Sequence, residues 1–111
     1  MIHWPALLIY DGEDELTYVK NRPVWDNDPD FHLFSYEPDD VLIDAKGLVY
    51  TLNTRINNIV IPQATDKILP LADLIELVRK HASIENYCCS AKIIAQSYLQ
   101  AIEIVASINE I

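Results

Sequence analysis

The chain has 111 residues, half of them hydrophobic, with 17 acids against 8 bases and a formal charge of −9. That length and composition predict a single folded domain over residues 1–111. Only 2 Gly and 6 Pro exclude collagen-like and low-complexity readings. Residues 1–50 hold 11 acids and 3 bases, so nearly all the net charge belongs to the first half. A negative field repels phosphate backbones and anionic lipid, which predicts no nucleic-acid and no membrane partner; it attracts basic partners. Met1–Asp14 lacks a basic n-region, and no apolar run approaches membrane-spanning length. The only cysteines are the neighbours Cys88 and Cys89, which build no disulfide framework, so the expected compartment is the cytoplasm.

Pro5–Tyr10 is a continuous apolar run, the pattern of an interior strand covered on both faces. Asp11–Asp14 reads as a turn and Leu16–Lys20 as the returning hairpin partner. Asn21–Glu37 is irregular, with one helical turn expected where Asp28 can cap and Pro29 can start it. Asp40–Asp44 and Leu48–Leu52 flank a short connection whose Gly47 supplies positive φ, the signature of a hairpin. Asn58–Pro62 reads as a fifth short strand.

Leu71–Ala82 is an amphipathic helix with Leu71, Leu74, Ile75 and Val78 on one stripe, and Lys80 and His81 at its cation-favouring end. Tyr87–Ile94 is expected as a strand, its aromatic and β-branched residues favouring extension. With Ile59 it would make a right-handed, parallel strand–helix–strand crossover. Ser97–Asn109 is the last helix, apolar around most of its circumference. The expected class is α+β: a mixed, mainly antiparallel sheet of five to six strands carrying two helices.

Chemistry is sparse. Asp26, Asp28, Asp30 and Glu37 match the EF-hand acid spacing. Phe31 stands where that loop needs Gly, and Pro29 stiffens it, so a solvated acidic loop competes with a calcium site. His3, His32 and His81 show no metal-ligand spacing. On a strand, Cys88 and Cys89 would face opposite ways, one in the core and one partly covered. His81 is near enough in sequence to be weighed as a base for either thiol. Phosphate-loop and nucleophile-elbow motifs are absent, and no cofactor is expected.

Eight aromatics are interleaved with the acids of the first half. Trp25, Phe31 and Tyr36 are candidate anchors for a basic protein partner, the alternative being core packing. The broad apolar face of the last helix makes Tyr98, Ile104 and Ile108 candidates for an interface, a homo-oligomer included. The leading reading is a non-catalytic protein-interaction module. The alternatives are an enzyme or small-ligand protein with a cleft built from distant residues, and a calcium-stabilised domain.

Trp4–Gly12, Asp40–Asp44 and Cys88–Lys92 together resemble a small family of uncharacterised gamma-proteobacterial proteins catalogued as a domain of unknown function. The resemblance spans essentially the whole chain and implies a compact bacterial domain. It assigns no residue a chemical role.

Overall fold

The computed structural model describes residues 1–109. Five strands form one antiparallel sheet in the order β2 (Leu16–Val19), β1 (Ala6–Ile9), β3 (Val41–Ile43), β4 (Leu48–Thr51) and β7 (Gln63–Ile68). A separate ribbon pairs β5 (Arg55–Ile56) with β6 (Ile59–Val60). The helices are α1 (Arg22–Asn27), α2 (Leu71–Ile84) and α3 (Tyr98–Asn109). No described helix is long and apolar enough to cross a membrane.

The sheet separates two cores, and β1 feeds both. Leu7 packs with Leu16, Leu74, Val78, Ile102 and Val105 beneath α2 and α3. Ala6 and Leu8 face the other way, against Val19, Trp25, Leu42, Tyr50 and Val60. This two-sided burial explains why the β1 run is apolar without alternation. It places β1 in the sheet interior, as the run predicts.

The breadth of the last helix's apolar surface has the same kind of cause. α3 packs on α2 along one side and on β2 along another. Ile102 and Val105 are buried there, Ile108 is nearly so, and Tyr98 and Ile104 are half-buried against the same core.

Three expectations are corrected. Tyr87–Ile94 is not a strand, so the parallel crossover does not exist. Asn86 takes a left-handed conformation (φ 59°), the Tyr87 N–H bonds Ala82 O at 2.9 Å and the Asn86 N–H bonds Ser83 O at 3.1 Å. That pattern closes α2 with a Schellman cap. Cys89 is left-handed too (φ 64°), so the segment turns twice and ends in a 3₁₀ turn at Ser90–Lys92.

The expected strand Asn58–Pro62 contributes only β6, on the small ribbon. Asn57 and Asn58 both have positive φ, 53° and 67°, and make the two-residue turn that reverses β5 into β6. The strand that completes the main sheet is instead β7, an edge strand whose residues are almost all exposed.

His81 does lie in the last turn of α2, but it is buried and hydrogen-bonded rather than presented to solvent. It is 1% exposed; its Nδ1 accepts the Leu16 N–H at 3.0 Å, and its Nε2 donates to Asn109 Oδ1 at 2.9 Å. One imidazole thereby ties β2, α2 and α3 together. With both nitrogens engaged, His81 is not placed to act as a base for a thiol.

The turn between β3 and β4 is organised by Asp44, which is fully buried. Its carboxylate accepts the N–H groups of His3, Lys46 and Leu48 and the hydroxyl of Tyr50, at 2.8–3.1 Å. A buried carboxylate is tolerated when its lone pairs are satisfied in this way.

Candidate functional site

Asn21 caps α1, its side chain accepting the Val24 N–H at 3.0 Å, with a proline in the helix's first turn. α1 delivers Trp25 into the core, where its indole N–H donates to Val60 O at 2.9 Å. Asp28 then caps the 3₁₀ turn Pro29–Phe31 through the Asp30 N–H, as its pairing with Pro29 predicts. Phe31 stacks on Trp25 at 4.8 Å. His32 bridges the backbone, Nδ1 accepting the Val60 N–H at 3.0 Å and Nε2 donating to Trp25 O at 2.7 Å.

Two of the expected exposed anchors are therefore core residues: Trp25 is fully buried and Phe31 is 8% exposed. The chain needs large side chains on this face because the outer side of β1 and β3 has no long helix to cover it. Trp25 and Phe31 supply that cover.

The stretch after Phe31 lies on this platform with Phe34 turned outward, 77% exposed. The Arg55 guanidinium clamps it from the ribbon, donating to His32 O at 2.7 Å and Phe34 O at 2.5 Å. Tyr36 is half-buried; it donates to Phe31 O at 2.8 Å and stacks on Tyr10 with ring centroids 6.0 Å apart. Asp40 closes the loop by accepting the Asp11 and Glu37 N–H groups, both at 2.7 Å.

These elements enclose a cleft of about 220 Å³. Its walls are the rings of Tyr10, Phe31, Phe34 and Tyr36, its rim carries Asp11, Glu13, Asp30 and Glu37, and the buried, hydrogen-bonded Asp40 also lines it. No Lys or Arg is among the lining residues. Burial pushes the Tyr36 hydroxyl well above the ordinary phenol range, with Tyr10 adding to the effect; burial raises Tyr10 as well. Both rings are thus neutral at physiological pH, with intact hydroxyl protons.

Such a cleft presents π-faces beneath a ring of carboxylates, an environment that stabilises a cation with an apolar stem. Of the residues singled out in the sequence, it contains Phe31, Tyr36, Asp30 and Glu37. It also uses Tyr10, Asp11, Glu13, Phe34 and Asp40, which the sequence reading did not select. The interleaving of aromatics with acids was the signal for this region. Which aromatic faces outward depends on long-range packing.

The EF-hand spacing does not become a metal centre. Asp28 is committed to capping and Asp26 belongs to α1. Among the described residues, no three His, Cys, Asp or Glu side chains are gathered to hold a metal ion. The adjacent cysteines are also placed differently from the strand expectation. Both are exposed, on the loop after α2, with their sulfurs side by side.

Fold and site together describe an α+β domain with its two longer helices on one sheet face and an acidic, aromatic cleft beside the other. The chain belongs to the DUF4144 family, described as a protein structure with unknown function, which matches residues 4–105. An NMR structure of a protein from Shewanella amazonensis is similar, with a TM-score of 0.68 and 24% identity over 96% of this chain and 90% of that one. At that identity the likeness shows a shared fold. Among curated proteins nothing matches the chain. The bacterial family resemblance carried by Trp4–Gly12, Asp40–Asp44 and Cys88–Lys92 is therefore borne out.

Proposed function

We propose that this protein is a non-catalytic interaction module whose acidic, aromatic-lined cleft receives a basic side chain of a protein partner. The observation that carries this reading is the pairing of exposed Phe34 with the half-buried Tyr10–Tyr36 stack under a rim of carboxylates. An Arg or Lys stem would lie on the rings while its head meets the acids, and the chain's charge of −9 would steer the approach. Volume favours a side chain over a small-molecule substrate. The cleft's 220 Å³ falls below the roughly 300–1,000 Å³ typical of ligand pockets. A cytoplasmic setting is supported by two free, exposed thiols, a state that a reducing compartment preserves.

The test is an NMR titration of the labelled chain with Arg-rich and Lys-rich peptides, an acidic peptide and a simple alkylamine. Basic peptides should shift Tyr10, Phe34 and Tyr36, and binding should weaken steeply with added salt. Phe34→Ala should reduce affinity about tenfold, as loss of an aromatic anchor does. Equal shifts from the acidic peptide, or basic-peptide binding untouched by Phe34→Ala, would reject the reading. Saturation by the alkylamine alone would favour a small-ligand protein.

A further inference from the structure

The loop joining α2 to α3 holds an arrangement that plays no part in the cleft. Cys88 and Cys89 are both exposed, and their sulfurs lie 3.2 Å apart. Neighbouring side chains diverge on an extended strand, but here Cys89 is left-handed (φ 64°), which turns both thiols to one side. The loop is anchored at each end. The Schellman cap fixes Asn86 and Tyr87, and the Arg79 Nε–H donates to Ile93 O at 2.8 Å. Beside Cys88 lies a cleft of about 340 Å³, bordered by Tyr87 and Ile108 as well as Glu85 and Asn86.

The spacing discriminates among partners for two sulfurs. A disulfide would require contraction to about 2.05 Å between α-carbons only about 3.8 Å apart, below the roughly 4.4–6.8 Å that disulfides normally span. A soft atom about 2.3 Å from each sulfur, the length of a zinc–thiolate bond, would subtend roughly 90° across the 3.2 Å gap. Tetrahedral zinc needs a wider angle and further protein ligands, and no group of three ligand-type residues exists among the described residues. Linear two-coordination is wider still. Near-right angles belong to pyramidal trivalent centres that retain a lone pair, of which arsenic(III) is the thiophilic example.

We infer that Cys88 and Cys89 form a chelating dithiol site for a trivalent organoarsenical, the two sulfurs binding arsenic and the Tyr87–Ile108 cleft seating its organic substituent. Two thiols condense with R–As(OH)₂ to give R–As(S–Cys)₂ and two waters. Each S–H proton leaves with one hydroxyl, two As–O bonds are replaced by two As–S bonds, and no oxidation state changes. The hydrogen bond between the two sulfurs holds the Cys89 thiol above the usual cysteine range.

The test treats the full, reduced chain with phenylarsine oxide and reads intact mass, with Cys88→Ser, Cys89→Ser and the double variant alongside. One adduct per chain is expected. It should survive a hundredfold excess of glutathione and be released by a 1,2-dithiol. Each single variant should lose its adduct to glutathione at concentrations at least a hundredfold lower. Both thiols are exposed, so the variants should keep the wild-type melting temperature. An adduct held equally by a single-serine variant, or a wild-type adduct removed readily by glutathione, would overturn the inference. A chain that loses two hydrogens in oxidised glutathione yet fails to retain the arsenical would also overturn it, making the pair a disulfide-forming switch instead.

Discussion

The ring of Tyr98 occupies the space that a side chain on Gly47 would need: a Cβ built on Gly47 falls 2.5 Å from two of its ring carbons. The same ring donates its hydroxyl to Leu69 O at 2.7 Å, and the Leu69 N–H donates to Gly47 O at 2.9 Å. A hairpin turn, the lead-in to α2 and the first turn of α3 thus meet at one glycine.

Gly47 therefore answers two demands, a φ of +81° and the absence of a β-carbon. Gly47→Ala or Gly47→Val should destabilise the fold by about 2–4 kcal/mol, combining backbone strain with overpacking. Gly12 has φ +80° but nothing within 4 Å of a built Cβ, so Gly12→Ala should cost only about 1 kcal/mol. Urea denaturation of the two variants separates the steric part from the conformational one.

His81→Phe keeps the ring volume but strands the buried Leu16 N–H. A loss of about 2–3 kcal/mol is expected, the usual cost of an unsatisfied buried donor. Because His81 also holds Asn109, amide exchange should accelerate at the end of α3 as well as in β2. Acceleration confined to β2 would show that the Asn109 bond contributes little.

Burial and the neighbouring Asp44 push the Tyr50 hydroxyl up to about 12, against about 10 in an unfolded chain. Between those values the native state keeps a proton that the unfolded state has lost, so stability falls as pH rises through that window. Below about pH 10 the contribution is intact. Tyr10 and Tyr36 are raised in the same direction and steepen the fall. Urea midpoints measured from pH 8 to 12 should decline with pH above 10, and less steeply in Tyr50→Phe, whose midpoint should already be lower at pH 8. A flat profile would show that Tyr50 ionises freely.

Trp25 and Phe34 should behave oppositely although both are aromatic and only nine residues apart. Trp25→Phe removes a buried donor to Val60 O and leaves a void, for a loss of about 2–4 kcal/mol. Phe34→Ala should change stability by no more than about 0.5 kcal/mol, as substitutions at an exposed side chain do. Thermal unfolding of the two variants distinguishes the core aromatic from the presented one.

The elements legible in the sequence are those whose signals are local. The two-sided apolar run of β1, the Gly47 hairpin, the stripe of α2 and the apolar α3 all carry their period or turn residue within a few positions. β7 (Gln63–Ile68) was missed because an exposed edge strand has no apolar face to alternate. α1 has its cap at Asn21 and a proline at Pro23, one place later than the Asp28–Pro29 pair, and its six residues are too few to show a helical period. Residues 87–94 misled because their aromatic and β-branched content favours extension, whereas the left-handed Asn86 and Cys89 are set by the cap and by the loop's fit to α2. Within the cleft, the acids and aromatics were visible as a group. The division of labour among Trp25, Phe31, Phe34 and Tyr36 was not, because only the docking of α1 under the ribbon decides which ring is covered.

The ladder between β1 and β3 pairs Ile9 with Val41, 32 positions along the chain. Before that ladder can form, the intervening loop must close, and closure entropy is spent before any interior contact rewards it. The β3–β4 hairpin and α2 can form from local contacts, but neither core is complete without β1. Folding should therefore be governed by the capture of β1. A substitution such as Leu8→Ala should slow refolding, whereas one confined to α3 should chiefly speed unfolding.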